Sequence, residues 1–353
     1  MRGKAVLADA LIGPHSAFTT WIFEVASSLA SVFSERPVRH IDRFDTIDFL
    51  ADPKPIILTH YPSAQLVDAI EAGDIRVTFV SEDPLDVAEY LISLLDIPPI
   101  EAIRAQTAST VANHAIGHAD NVLYLDRATE RSVERIASLL AAQLQLATDG
   151  EAFRAELVRL AAPLTPDTTI ENLLAVRDDL YAPPRRRQPV GQFDELSIAA
   201  VQVIEPLVAM ARGDTLRPVI WPTPIFKFGD RPDLPPPKMA DIAGPPRTLY
   251  YGPYLYLPPG RYRVEAILSF SEEIKDVPFA IEIHAESWLV TARIDQRRGG
   301  NYRGYCMVDH RNPCATIEIR LRNERGVEHG QLALIELLFF RQPHFSSDED
   351  DLV

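Results

Sequence analysis

The first half of the chain alternates short apolar runs with amphipathic segments. The apolar runs predict strands at residues 4–11, 37–44, 54–62, 75–83 and 121–127. The segments between and after them predict helices at residues 15–33, 63–73, 84–96, 99–116 and 129–146, followed by further helical sequence up to Tyr181. Repetition of strand and helix in this way predicts an α/β domain over residues 1–181, with a mainly parallel sheet and helices on both of its faces.

The pattern changes after Tyr181. Residues 182–246 contain a proline and arginine break, one helix at 193–213 and a proline-dense stretch at 216–246, and we expect them to form a linker without regular strands. From residue 247 to 342, strictly alternating segments separated by turn signals predict an antiparallel β-sandwich. The acidic tail at 343–353 is typical of disordered sequence.

Composition narrows the function classes. The chain has 353 residues and a formal net charge of -15, so two globular domains fit its length. An acidic surface of this size repels nucleic acid and anionic membranes at long range. The sequence shows neither a membrane-spanning apolar segment nor a signal peptide, and the cytosol is the default compartment. Cys306 and Cys314 are expected to be packed free thiols, with a hairpin disulfide as the alternative in an exported protein.

Three segments of the first domain carry a family resemblance. They are GPHSAFTTW at 13–21, LTHYP at 58–62 and EDPLDVAEY at 82–90, and each follows a predicted strand. In this order they resemble the donor loop and two later motifs of the PAPS-dependent sulfotransferases, over about residues 4–180. The resemblance implies a P-loop sulfotransferase-like fold, PAPS as cofactor and His60 as the general base. It also implies a donor loop made by Pro14, His15, Ser16, Thr19, Thr20 and Trp21.

The basic residues of those motifs are replaced. His15 and Leu58 occupy lysine positions, and Glu82 occupies the position of the arginine that meets the 3′-phosphate in the family. A glutamate repels a phosphate where an arginine attracts it, so the donor site is predicted to be impaired for PAPS. Two hypotheses follow: a sulfotransferase-like transferase that modifies or recognises a polysaccharide, or a non-catalytic glycan-binding or scaffolding protein. For His60, the alternative to catalysis is a buried histidine that holds the loop through a backbone carbonyl.

The predicted sandwich is rich in aromatic residues. The run from Tyr251 to Arg263 resembles the first strands of β-sandwich modules appended to bacterial glycan-modifying enzymes. Trp288, Tyr302 and Tyr305 are therefore the candidate glycan-binding residues, with core packing as the alternative for each.

One pair of histidines has the spacing of metal ligands. His114 and His118 are spaced like two ligands on one helical face, but no glutamate accompanies them. No metal site is expected.

Overall fold

A computed structural model describes residues 7–42, 45–49, 53–113, 116, 122–129, 131–148, 150–177, 194–211 and 217–342. The chain divides into two compact units. The first comprises residues 1–189 with 211–213, and the second comprises residues 190–210 with 214–353.

The first unit contains a five-stranded parallel sheet. Its strands are β1 (Ala8–Ile12), β2 (Val38–His40), β3 (Ile56–Thr59), β4 (Ile75–Ser81) and β5 (Val122–Asp126). They lie in the order β2-β3-β1-β4-β5, and every pairing is parallel. The α/β parallel sheet expected from the sequence is thus confirmed. β1 and β3 are buried along their whole length, because they lie inside the sheet and are covered on both faces.

In the part of this unit that the structure describes, seven α-helices accompany the strands. They are α1 (Ala17–Phe33), α2 (Ala64–Glu71), α3 (Pro84–Leu95), α4 (Pro99–Ala112), α5 (Val133–Gln143), α6 (Gly150–Ala161) and α7 (Ile170–Val176). Four of them begin at a side-chain cap, in which the hydroxyl of Ser16, Ser63, Ser132 or Thr169 accepts a backbone N–H of the first turn.

The core of the first unit lies on both faces of the sheet. One cluster packs α1, α5, α6 and α7 around residues such as Trp21, Ile22 and Leu140, and a second gathers Ile12, Ile57 and Leu66. Since Trp21 is fully buried in the first cluster, its role in packing is evident from the fold.

The second unit contains helix α8 (Asp194–Ala211) and two β-sheets. Its strands are β6 (Val219–Pro222), β7 (Lys227–Phe228), β8 (Ala240–Asp241), β9 (Thr248–Leu255), β10 (Gly260–Phe270), β11 (Val277–Ala285), β12 (Ser287–Gln296), β13 (Gly300–His310), β14 (Ile317–Asn323) and β15 (Gln331–Arg341). One sheet has the order β13-β10-β15-β6, with β8 also paired to β15, and the other has the order β12-β11-β14-β9-β7. All pairings are antiparallel, as the alternating pattern predicted.

The proline-dense stretch at 216–246 differs from its expected lack of structure. It supplies β6 and β8 to one sheet and β7 to the other, so strands of the sandwich begin at Val219 and not after residue 246. β6 and β7 each pair on one side only, at the edge of their sheets. Edge strands tolerate prolines because one row of their N–H groups needs no partner in the sheet. The predicted linker at 182–192 and the acidic tail lie outside the described residues.

Candidate functional site

The loop after β1 is shaped by close packing against α1. A Cβ atom on Gly13 would lie 2.8 Å from Thr19 Oγ1 and 2.8 Å from Val80 Cβ, so only glycine fits there. Ser16 caps α1 by accepting the Thr19 N–H at 3.0 Å, and its hydroxyl donates to Thr19 Oγ1 at 3.1 Å. The hydroxyl of Thr20 donates to the Ser16 carbonyl at 2.8 Å. The hydroxyls predicted to hold donor phosphates therefore already have partners within the first turn of the helix.

The six residues predicted to bind the cofactor separate by burial. Ser16, Thr19 and Trp21 are buried, whereas Pro14, His15 and Thr20 are half-buried. An incoming ligand would reach the second group first.

Two histidines stack beside this loop. The ring centroids of His15 and His60 lie 3.7 Å apart, and His60 Nδ1 lies 2.9 Å from the Gly13 carbonyl oxygen. Burial, together with the charge of His60, lowers the pKa of His15 to about 3. Burial also lowers the pKa of His60, against the hydrogen bonds that its ring donates to the backbone of Gly13 and Pro14, which act to raise it. Both rings are therefore neutral at pH 7.

This geometry bears on the two hypotheses for His60. A neutral imidazole that donates Nδ1–H to the Gly13 carbonyl keeps its lone pair on Nε2, the atom that a general base uses. The same hydrogen bond holds the loop to the end of β3, which is the contact expected of a structural histidine. Catalysis by His60 stays a prediction, and the loop-holding contact is present.

A buried ion cluster surrounds Glu82. Glu82 follows β4 and forms an ion pair with Arg127, which follows β5; the two side chains are 1% and 2% exposed. Arg127 also lies 3.7 Å from Asp86 Oδ2 and 3.2 Å from Glu171 Oε2. One guanidinium thus faces three carboxylates. At about 4 Å and an effective dielectric of about 20, a phosphate near each carboxylate would be opposed by about 4 kcal/mol.

Arg127 is the cation that could offset the repulsion between Glu82 and a bound phosphate, but it is already paired. Arg127 is the cation nearest to Glu82 in this cluster, and its donors are directed at protein carboxylates. The described residues of the cluster therefore supply no guanidinium for a 3′-phosphate. This arrangement could not be seen in the sequence, because Arg127 is 45 positions from Glu82 and follows another strand.

The three aromatics predicted to bind glycan lie apart in the second unit. Trp288 is on β12 and 59% exposed, and Tyr305 is on β13 and 72% exposed, but these strands belong to different sheets. Tyr302 packs edge-on against Phe270 with centroids 5.2 Å apart, and its hydroxyl donates to the Arg298 carbonyl at 2.7 Å. The three do not form one surface, and Tyr302 makes the packing contact that was its alternative role.

Around Trp288, however, a different set of side chains converges. On the outer surface of the sheet β12-β11-β14-β9-β7, strand register places several polar and aromatic side chains on the same side as Trp288. We call this surface the Trp288 face, and it comprises Tyr251, Tyr254, Glu282, His284, Trp288, Glu318, Arg320 and Arg322.

Strand register brings these residues together. His284 on β11 lies opposite Trp288 on β12 and Glu318 on β14, and the His284 and Trp288 rings are 5.6 Å apart. In the next row, Arg320 lies between Glu282 and Tyr251. The face therefore extends across four adjacent strands.

Hydrogen bonds fix the polar part of the face. Arg320 donates twice to Glu318, through Nε at 2.9 Å and Nη2 at 2.8 Å, and the Tyr254 hydroxyl donates to the same carboxylate at 3.0 Å. Arg322 donates to Glu282 at 3.2 Å. Although burial acts to raise it, the donors Arg320 and Tyr254 hold the pKa of Glu318 below its ordinary value.

Tyr254 is held in an unusual conformation. Its φ of 64° lies in the left-handed region that non-glycine residues rarely adopt. Burial and the Glu318 carboxylate raise the pKa of its hydroxyl to about 12, so it remains a hydrogen-bond donor. Strained residues that their surroundings hold in place are concentrated at binding sites.

Of the three predicted glycan-binding residues Trp288, Tyr302 and Tyr305, Trp288 alone lies on this face. The alternating charges of IEIRLRN at 317–323 placed polar residues on one side of a strand. Their proximity to Trp288 depends on β11 lying between β12 and β14, which requires the sheet order.

The remaining points concern metal ligands, membrane-spanning helices and the two cysteines. Among them, no group of three or more His, Cys, Asp or Glu side chains could hold a metal ion. His114 and His118 lie outside the described residues. None of the described helices has the length and apolar character needed to cross a membrane. Cys306 and Cys314 are free thiols, the first half-buried and the second exposed.

Comparisons with known proteins give only distant structural likenesses. No protein-family model and no curated protein matches the sequence. Among solved structures, TmCBM61 in complex with β-1,4-galactotriose is 14% identical with a TM-score of 0.21, covering 28% of this chain and 67% of that one.

Two further solved structures have similarly low sequence identities and TM-scores. A CBM36-1 domain of a multidomain xylanase from the hindgut metagenome of Trinervitermes trinervoides is 8% identical with a TM-score of 0.26, covering 36% of this chain and all of that one. The infectious bursal disease virus Gx strain structure is 8% identical with a TM-score of 0.23, covering 36% of this chain and 33% of that one. Carbohydrate-binding modules are thus among the similar structures, but likenesses at this level do not decide a function.

Proposed function

We propose that the protein recognises a glycan and that the Trp288 face is its binding surface. The observation that carries this proposal is the exposed indole of Trp288 beside a fixed row of paired polar side chains. A pyranose ring presents an apolar C–H face and a rim of hydroxyls. Trp288 offers an apolar platform, and the arginine–glutamate pairs offer donors and acceptors close together.

The hydrogen bonds within the face favour binding over mere solvent exposure. Glu318 is oriented by two donors, and Arg320 is oriented by a bidentate pair, so neither side chain must be ordered when a ligand arrives. Preorganisation of this kind reduces the entropic cost of association. Trp288 also lies where it would lose its water-exposed surface to a ligand, which adds a hydrophobic contribution.

In this proposal the first unit is a sulfotransferase-like scaffold that does not bind PAPS. The Arg127 cluster and the capping contacts of Ser16, Thr19 and Thr20 support this part. Non-catalytic glycan recognition then describes the whole chain better than sulfuryl transfer does.

The test is a screen of the full chain against immobilised plant, fungal and bacterial polysaccharides. We expect retention by at least one polymer, lost in Trp288→Ala and kept in Tyr305→Ala, which removes an exposed aromatic from the other sheet. Equal loss in both variants would place the site elsewhere. Absence of retention across the panel would refute glycan recognition.

A transferase remains the second candidate, because His60 is neutral and has a lone pair on Nε2 at the carboxyl end of β3. His60→Ala separates the alternatives. Loss of sulfuryl transfer with an unchanged melting temperature would indicate catalysis. We expect instead a lowered melting temperature, since the substitution breaks the bond to Gly13 and the stack on His15.

A further inference from the structure

Every arginine on or beside the Trp288 face is paired with a carboxylate. Arg320 pairs with Glu318, Arg322 pairs with Glu282, and Arg293 on β12 lies 3.4 Å from Glu324. Within the face itself, the two arginines are balanced by two glutamates. Each guanidinium therefore presents its charge next to an opposite charge.

The edges of the face do not change this balance. Lys227 on β7 lies opposite Tyr251, and Asp295 on β12 lies opposite Pro278 at the other edge. One edge thus adds a positive charge and the other a negative charge, and the two cancel. His284 carries its Nε2 3.6 Å from Glu282 Oε2. The chain as a whole has a net charge of -15, which further disfavours a polyanion.

We propose, on the basis of the proposed function, that the ligand is an uncharged polysaccharide recognised through vicinal hydroxyls. Neighbouring hydroxyls on a pyranose both donate and accept. An arginine–glutamate pair matches them, because guanidinium N–H groups donate to one oxygen while the carboxylate accepts from the next hydroxyl. A uronate or sulfate group at the same place would meet the carboxylate of Glu318 or Glu282 at hydrogen-bond distance and be repelled.

The Tyr254 hydroxyl adds a second donor to the Arg320–Glu318 pair. It donates to Glu318 Oε1, the oxygen that also accepts from Arg320 Nε, so Glu318 is held with its remaining acceptor capacity directed by two fixed partners. A carboxylate or sulfate group has no hydrogen to donate to this acceptor, whereas a hydroxyl group has one.

The experiment is affinity electrophoresis of the full chain in native gels that contain matched polymer pairs. Each pair shares a backbone and differs in charge: hydroxyethylcellulose with carboxymethylcellulose, methyl-esterified with de-esterified homogalacturonan, and desulfated with sulfated carrageenan. We expect retardation by uncharged members only. The retardation should change by less than about twofold between about 0.05 M and about 0.5 M NaCl, because no ion pairs with the ligand are screened.

Glu318→Gln provides the second arm. It removes the carboxylate but leaves Arg320, so retardation by anionic polymers, absent in the wild-type protein, should appear at low salt. Glu272→Gln, which removes the same charge from an exposed turn, is the matched control and should not change it. Salt dependence of the wild-type protein tests the inference even if the Glu318 variant is unstable.

The outcomes distinguish the two proposals. Stronger, salt-sensitive retardation by anionic members would overturn the inference and leave glycan recognition intact. Absence of retardation by every polymer would overturn both.

Discussion

Acid should destabilise the first unit through the stacked pair of His15 and His60. The folded-state pKa of His15 is about 3, against an ordinary value of 6.5. The unfolded chain therefore takes up a proton first as the pH falls, so stability is fully present above about pH 6.5 and is lost as the pH falls toward 3. For His15 alone these two values give a loss of about 2 kcal/mol between pH 7 and pH 5. His60, whose pKa is also lowered, adds a loss of the same sign.

The variant that isolates this effect is His15→Phe, which keeps an aromatic ring against His60 but cannot be protonated. We expect it to remove about 2 kcal/mol of the acid-induced loss. His329→Gln, which replaces an exposed histidine of the second unit, is the control and should keep the wild-type loss in the first unit.

The assay must report on one unit at a time, because a two-unit chain does not unfold in a single step. With 5-fluorotryptophan incorporated, the ¹⁹F resonance of Trp21 reports on the first unit, and that of Trp221 reports on the second. Urea titrations at pH 7 and pH 5 then give the free energy of unfolding for the first unit. An acid loss in His15→Phe equal to that of the wild-type protein would refute the reasoning.

Three other predictions concern the first unit. Arg127→Met should destabilise it by about 3–5 kcal/mol because buried Glu82 loses its partner, and Glu82→Gln in the same chain should recover part of this loss. Gly13→Ala should cost about 1–3 kcal/mol, since its Cβ has no room, whereas Gly150→Ala, with nothing within 4 Å, should cost little. Titration with 3′-phosphoadenosine-5′-phosphate at low salt should give no heat and no shift of the melting temperature, whereas saturation at 100 times Kd would stabilise by about 2.7 kcal/mol. Calorimetry and urea unfolding check all three.

Local patterns were enough to predict most of the fold. Strand–helix alternation gave a parallel sheet and strict two-residue alternation gave antiparallel sheets, because each pattern reflects which faces of an element are buried. The segment at 216–246 was missed because its prolines suppress every strand signal, although prolines are compatible with the edge positions that β6 and β7 occupy.

The candidate site was less predictable than the fold. Tyr302 and Tyr305 are three positions apart on one strand, so they must face opposite sides, and the sequence alone allowed that conclusion. The Trp288 face joins residues from four strands, and the Arg127 cluster joins the residues that follow β4 and β5 with residues of two helices. Such contacts depend on register and strand order, which short-range patterns do not specify.

The central claim, that glycan binds on the Trp288 face, is tested most directly by ¹⁹F NMR of the fluorotryptophan-labelled protein. The chain has three tryptophans, of which Trp288 is exposed while Trp21 and Trp221 are fully buried. On titration with an oligosaccharide of the polymer retained in the screen, the account predicts a saturable shift of the Trp288 resonance, with the other two unchanged. Saturable binding that leaves the Trp288 resonance in place would contradict the account.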